Sequence, residues 1–202
     1  MSVAPEQELT QLYRARRSPE LVDVPELAFA MIDGHGDPNV SATYRAALQA
    51  LFSVSYALKF AIKRAGGPAY RVGPPEGLWS VPDMAVFETA SKADWDWTMM
   101  IRQPSSVTPE LFERTALEVA ERKGVAEARE LRLERFAEGR AAQVLHLGSY
   151  ADEGPTIRAL HAFIAEHGCA RRGRHHEIYL GDPRRSAPER LKTIIRQPVA
   201  EP

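Results

Sequence analysis

Met99-Met100-Ile101-Arg102-Gln103-Pro104 comes back near the end of the chain as Thr193-Ile194-Ile195-Arg196-Gln197-Pro198. A four-residue match alone is compatible with chance, so its surroundings decide. Upstream of each copy lie a strand-like run, a glycine turn and a helix. The two helices share a pattern, Tyr44-Arg45-Ala46-Ala47-Leu48 in one and Ile157-Arg158-Ala159-Leu160 in the other. The same element order around both copies favours duplication. Each half then reads strand, strand, helix, strand, strand, an α+β chain with antiparallel sheets and two long helices.

The elements follow from local patterns. Residues 1–18 are polar, an N-terminal extension with a short turn around Leu9, Leu12 and Tyr13. Residues 19–35 read as extended, with the apolar run Leu27 to Ile32 broken by Gly34-His35-Gly36-Asp37-Pro38. Asn39 or Ser41 caps a long helix whose apolar stripe is Tyr44, Leu48, Leu51, Leu58 and Ile62, stopped at Gly66-Gly67-Pro68. Residues 69–82 read as a loop, followed by strands near 83–90 and 95–102. In the second of these, Trp95, Trp97, Met99 and Ile101 alternate with Asp96, Thr98, Met100 and Arg102.

Thr108-Pro109-Glu110 opens a linking helix over about 108–124, with Thr108 as cap and proline in the first turn. Residues 129–137 favour a helix by propensity but alternate like a strand, and are read as a strand. Glu138-Gly139 then looks like a turn into the strand Ala141 to Leu147. Pro155 begins a helix with Ile157, Leu160 and Ile164 inward, ended by Gly168. Strands near 174–181 and 192–198 complete the chain. Module one covers about 19–107 and module two about 125–202, within a single domain from residue 19 to 202.

Bulk properties narrow the function. The 202 residues are 44% hydrophobic and 26% charged, enough to bury a core. The 26 basic and 27 acidic side chains leave a net charge of -1, which argues against nucleic acid as the main partner. The single cysteine, Cys169, permits no internal disulfide and suits a reducing, cytoplasmic setting. It has no evident base near it in sequence, so an inert thiol is the expectation. No signal peptide or membrane-spanning run is visible. No P-loop or dinucleotide fingerprint appears, and no cofactor is expected.

Several motifs together resemble the GyrI-like small-molecule-binding family. They are Pro74-Pro75-Glu76-Gly77-Leu78-Trp79, Trp97-Thr98-Met99-Met100-Ile101-Arg102-Gln103-Pro104, Leu147-Gly148-Ser149-Tyr150, and His175-His176-Glu177-Ile178-Tyr179-Leu180, with the tail Asp182 to Lys192. The resemblance runs from about residue 20 to the end. It implies two pseudo-two-fold modules with a ligand groove between them. Members include effector domains of multidrug-sensing regulators and a gyrase-inhibitory protein. Some stand-alone members resemble cyclopropanoid cyclopropyl hydrolases, which open the strained ring of planar genotoxic natural products. Ser80 stands where the hydrolase-like relatives have a second tryptophan, which weakens any transfer of ligand preference.

Candidate site residues come from both sources. In the strand from His175 to Leu180, Ile178 and Leu180 point one way and His175, Glu177 and Tyr179 the other. With the apolar pair in the core, the Glu177 face lines either solvent or a groove, and the resemblance favours the groove. A partly buried carboxylate there would serve proton transfer. Glu76 lies three residues before Trp79, as a second carboxylate or merely a turn cap. Trp79, Trp97, Tyr56, Phe60 and Tyr150 are candidate walls for a flat ligand. Trp79, on a Pro/Gly loop, is read as a pocket residue; Trp95, Phe60 and Tyr44 are read as core. Phe60 also shares with Phe52 and Tyr56 a second apolar helix face that could cover the groove. His175 and Glu177 are two potential metal ligands without a third, so no metal is expected. The resulting expectation is a binder of planar aromatic or amphipathic small molecules, acting by hydrolysis of a cyclopropyl ring or by sequestration of amphipathic cations. No protein partner is indicated.

Overall fold

The computed structural model describes residues 11–87 and 89–200. In chain order the elements are β1 (Glu20–His35), α1 (Ala42–Arg64), β2 (Glu76–Ser80), β3 (Asp96–Gln103), α2 (Pro109–Lys123), β4 (Arg132–Leu147), α3 (Gly154–Glu166), β5 (Ala170–Arg171), β6 (His175–Tyr179) and β7 (Lys192–Ala200). The chain divides into two compact units. The first is Glu26–Ala137; the second joins the residues up to Pro25 to those from Glu138 onward. The long strands β1 and β4 each contribute to both.

In the first unit the repeated hexapeptide lies on the central strand, β3. β1 pairs antiparallel along one side of it (Ala30 with Ile101, Ile32 with Met99). β2 pairs along the other (Glu76 with Met100, Trp79 with Trp97). Directly paired residues share a face, so Trp79, Trp97, Met99, Ile101 and Gln103 point together. α1 covers this face: Tyr44 meets the rings of Trp79 and Trp97, and the Gln103 amide donates to Ser55 Oγ at 3.0 Å. The buried stripe of α1 (Leu51, Val54, Leu58) has no exposed surface. The opposite face carries Phe29, Met31, Leu78 and Met100, against which Phe136 packs.

The second unit repeats the order and the pairing. Its central strand is β7, flanked by β4 (Val144 with Ile195) and β6 (Glu177 with Ile195), with β5 pairing near its end. One face, with Ala142, Val144, Ile195 and Val199, buries Leu160 and Ile164 of α3. In each unit a long strand and a helix precede a five-residue strand (β2 or β6) and the last strand (β3 or β7), which sits between that strand and the long one; the second unit adds the two-residue β5.

The helix ends follow the sequence signals. Ser41 caps α1 by accepting from the Tyr44 N–H at 3.1 Å. Thr108 caps α2 by accepting from Leu111 at 3.2 Å, and Gly124 ends it in the left-handed region at φ 67°.

Four local readings are corrected. Residues 69–82 are not all loop, because residues 76–80 pair with β3 as β2. The strand expected near residues 83–90 is not found among the described residues of that stretch: Asp83 accepts from the Ala85 N–H at 2.9 Å and starts a 3₁₀ turn at Met84–Val86. Residues 126–130 are a 3₁₀ turn, and β4 then runs unbroken from Arg132 through Glu138-Gly139. Gly139 adopts φ +72°, which distorts the strand without ending it. Ile178 is fully buried as expected, but Leu180 lies past the end of β6 and is 36% exposed. Leu9 lies outside the described residues.

Candidate functional site

The second unit gathers His175, Glu177, Tyr179 and Tyr150. The period-two alternation of β6 puts the first three on one face, the one they share with Ile195 and Val144. Glu177 is only 8% exposed. Its Oε1 accepts from His175 Nε2 at 3.1 Å, and its Oε2 accepts from the Tyr179 hydroxyl at 2.6 Å. With the carboxylate as acceptor, Nε2 is the ring nitrogen of His175 that carries the proton in this contact. Two donors on two oxygens hold the carboxylate plane.

Tyr150 stands edge-on to Tyr179, with ring centroids 5.5 Å apart. It belongs to the 3₁₀ turn Tyr150–Asp152. His146 pins that turn: Nε2 donates to the Ser149 carbonyl at 3.1 Å, so Nδ1 accepts from the Thr156 hydroxyl at 2.9 Å. Gly148, at φ +140°, has the backbone freedom this close approach needs. Burial, and after it the charges of Glu153, Glu177 and Asp182, pushes the Tyr150 phenol up to about 12. It is therefore a proton-bearing donor at neutral pH.

The opposite face of the same strand holds a polar cluster that the sequence did not reveal. His176 Nδ1 lies 2.8 Å from Glu138 Oε1. Arg196 donates to Glu138 Oε2 at 3.1 Å, to Gln143 Oε1 at 2.9 Å, and to the Leu12 carbonyl at 2.7 Å. Burial alone would raise the Glu138 pKa, but His176 and Arg196 outweigh it and hold the carboxyl at about 2. The one available signal was an arginine inside an otherwise apolar strand, which demands a buried counter-charge.

The remaining candidates are in the first unit. Glu76 is buried on β2, on the face of Met100. Trp79 is on β2 and not on a loop. It is buried with its ring 5.4 Å from Trp95 and 6.0 Å from Tyr44, and Trp97 meets Tyr44 edge-on at 5.3 Å. Gly77 leaves the room for this packing, since a Cβ there would lie 2.7 Å from Trp79 Nε1. Tyr56 and Phe60, on the outer side of α1, are 45% and 50% exposed. The expectation of a core position for Phe60 is thus corrected. Ser80, opposite Asp96, ends β2. Among the described residues no group of three or more His, Cys, Asp or Glu is placed to hold a metal, and no helix is long and apolar enough to cross a membrane.

The model of the GyrI-like small molecule binding domain matches residues 17–200. The chain belongs to the GyrI-like family. This GyrI-like domain is similar along most of its length to two solved structures from Listeria innocua. One, of an uncharacterized conserved protein, is 34% identical with a TM-score of 0.89; the match covers 96% of this chain and 98% of that one. The other, of a hydrolase, is 33% identical with a TM-score of 0.84 and the same coverage. The C-terminal domain of EcmrR shares the fold at 11% identity and a TM-score of 0.57, over 92% of this chain and 98% of that one. No curated protein matches the chain. As a GyrI-like domain, the protein is a small-molecule-binding module.

Proposed function

We propose that this GyrI-like protein hydrolyses the strained ring of planar, cyclopropane-fused dienones, a detoxifying reaction centred on Glu177. The observation that carries the reading is the buried Glu177 carboxylate, fixed by His175 and Tyr179 beside the protonated phenol of Tyr150. Its similarity to a Listeria hydrolase over nearly the whole chain supports the same reading.

In the proposed reaction a water donates one hydrogen bond to Glu177 and attacks the cyclopropyl methylene. A carbon–carbon bond of the small ring breaks, and its electron pair moves through the dienone to the carbonyl oxygen as the six-membered ring becomes aromatic. Glu177 takes the water's proton; the Tyr150 hydroxyl stabilises the developing phenolate by donating a hydrogen bond, and the proton held by Glu177 returns through solvent to the phenolate oxygen. The balance is substrate plus one water giving a phenol bearing a hydroxymethylene arm. The Tyr179 hydroxyl donates to Glu177, so Tyr150 is assigned as the donor to the substrate oxygen. Strain release lowers the barrier, so one base and one donor suffice.

Mass spectrometry of a cyclopropane-fused dienone incubated with the protein tests this. A product heavier by one water is expected from the wild type, with at least a hundredfold loss in Glu177→Gln, the usual scale for a general base. Equal rates in wild type and variant, or no turnover above buffer at a concentration where binding is demonstrated, would overturn it.

A second reading rests on the same carboxylate lying beside two tyrosine rings: the site sequesters amphipathic cations with Glu177 as counter-ion. A cationic dye titrated by fluorescence separates the two, because this reading requires Glu177→Gln to weaken dye binding.

A further inference from the structure

His175 is the residue of the cluster whose task is least evident, because at 1% exposure it has almost no surface to offer a ligand. The geometry points to His175 as the positioning residue for Glu177: its Nε2–H fixes and retains the charged carboxylate that the proposed hydrolysis uses as base. This inference rests on the proposed role of Glu177 but is measurable apart from it.

Alternation on β6 sets His175, Glu177 and Tyr179 in one row, so each is the near neighbour of the next. Glu177 is bracketed. Tyr179, partly exposed, donates from one end of the row at 2.6 Å; His175, buried, donates from the other at 3.1 Å. The two contacts differ in kind. A tyrosine hydroxyl rotates about its C–O bond, so at this partly exposed ring its hydrogen can leave Glu177 transiently for solvent. An imidazole N–H is fixed in the ring plane, and this ring is enclosed. His175 is therefore the invariant half of the bracket: if Tyr179 turns away, Oε1 still has its donor and the carboxylate keeps its plane. A hydrogen bond donated to a carboxylate favours its charged form, and this is the task assigned to His175. Tyr150, edge-on to Tyr179, feels the charges of Glu153, Glu177 and Asp182.

The experiment compares three proteins, wild type, His175→Gln and His175→Phe. Glutamine retains an N–H donor; phenylalanine retains the ring and removes the donor. Two readouts are taken. Carbon-detected NMR titration of the Glu177 side-chain carboxyl measures the positioning directly. Its midpoint should rise by about one pH unit or more in His175→Phe and stay close to wild type in His175→Gln. Turnover of the cyclopropane-fused dienone supplies the second: His175→Phe should lower kcat at least tenfold with KM changed less than threefold, and His175→Gln should recover most of kcat. If His175→Phe does not fold, His175→Asn, whose amide is too short to reach Oε1, takes its place with the same expectation.

A Glu177 midpoint unchanged in the donor-free variant overturns the inference, as does a glutamine variant no better than phenylalanine in both readouts. If the midpoint moves as expected while the wild type shows no turnover, the positioning role is upheld and the hydrolase reading alone fails.

Discussion

Glu138→Gln removes one charge from the buried cluster of His176, Arg196 and Gln143 while conserving shape. In the wild type both carboxylate oxygens accept, one from the histidine and the other from the arginine, and the Glu138 and His176 side chains are each only 1% exposed. A glutamine offers one accepting oxygen, so its NH₂ must face either the His176 or the Arg196 donor. The structure gives two routes to a magnitude. The Glu138 pKa falls from 4.5 to about 2 on folding, a shift worth about 3 kcal/mol. Removing one partner of a buried ion pair costs about 3–5 kcal/mol. The sign follows from the depressed pKa: the contribution is fully present above the unfolded value of 4.5 and is lost as pH falls through about 2. Urea denaturation at neutral pH should therefore show the Glu138→Gln midpoint lowered by roughly 1.5–2.5 M for a slope near 2 kcal/mol per molar. Repeated from pH 5 down to pH 2, the wild type should lose stability and the variant should lose about 3 kcal/mol less. A loss below about 1 kcal/mol at neutral pH, or parallel acid limbs, would refute the assignment of Glu138 as an ionised, doubly paired carboxylate.

Other perturbations have defined outcomes. A Cβ at Gly34 would lie 2.0 Å from the Trp97 ring, so Gly34→Ala should lower stability by about 1–3 kcal/mol or more and shift tryptophan fluorescence as the ring is displaced. Leu160, fully buried between α3 and the sheet of the second unit, should cost about 2–5 kcal/mol as Leu160→Ala, read by thermal unfolding. Tyr150→Phe removes the proposed donor to the substrate oxygen; kcat for the dienone should drop while Glu177→Gln keeps its own separate effect, measured by single-turnover kinetics.

Features carried by local spacing were legible in the sequence. The stripe of α1, the Thr108 cap, the Gly124 stop and the row His175, Glu177, Tyr179 each follow from residues within a few positions of one another. What was missed depends on distant partners. β2 hides in a Pro/Gly-rich stretch because only its pairing with β3 makes it a strand. For the same reason Trp79 read as a loop residue, although Tyr44, Trp95 and Trp97 surround it. Gly139 read as a turn because a left-handed glycine inside a strand leaves the same local signature as one ending it. The Glu138 cluster joins residues 12, 138, 143, 176 and 196, and no local pattern contains it.

In the proposed hydrolysis Glu177 acts as a base toward water. Single turnover of a cyclopropane-fused dienone in heavy-oxygen water tests this most directly. As a base, Glu177 delivers the solvent oxygen to the methylene carbon in the first cycle, so the first product carries the heavy label there and none at the phenol. A first-cycle product whose new hydroxyl carries light oxygen would instead show the carboxylate itself attacking carbon, and would contradict the account.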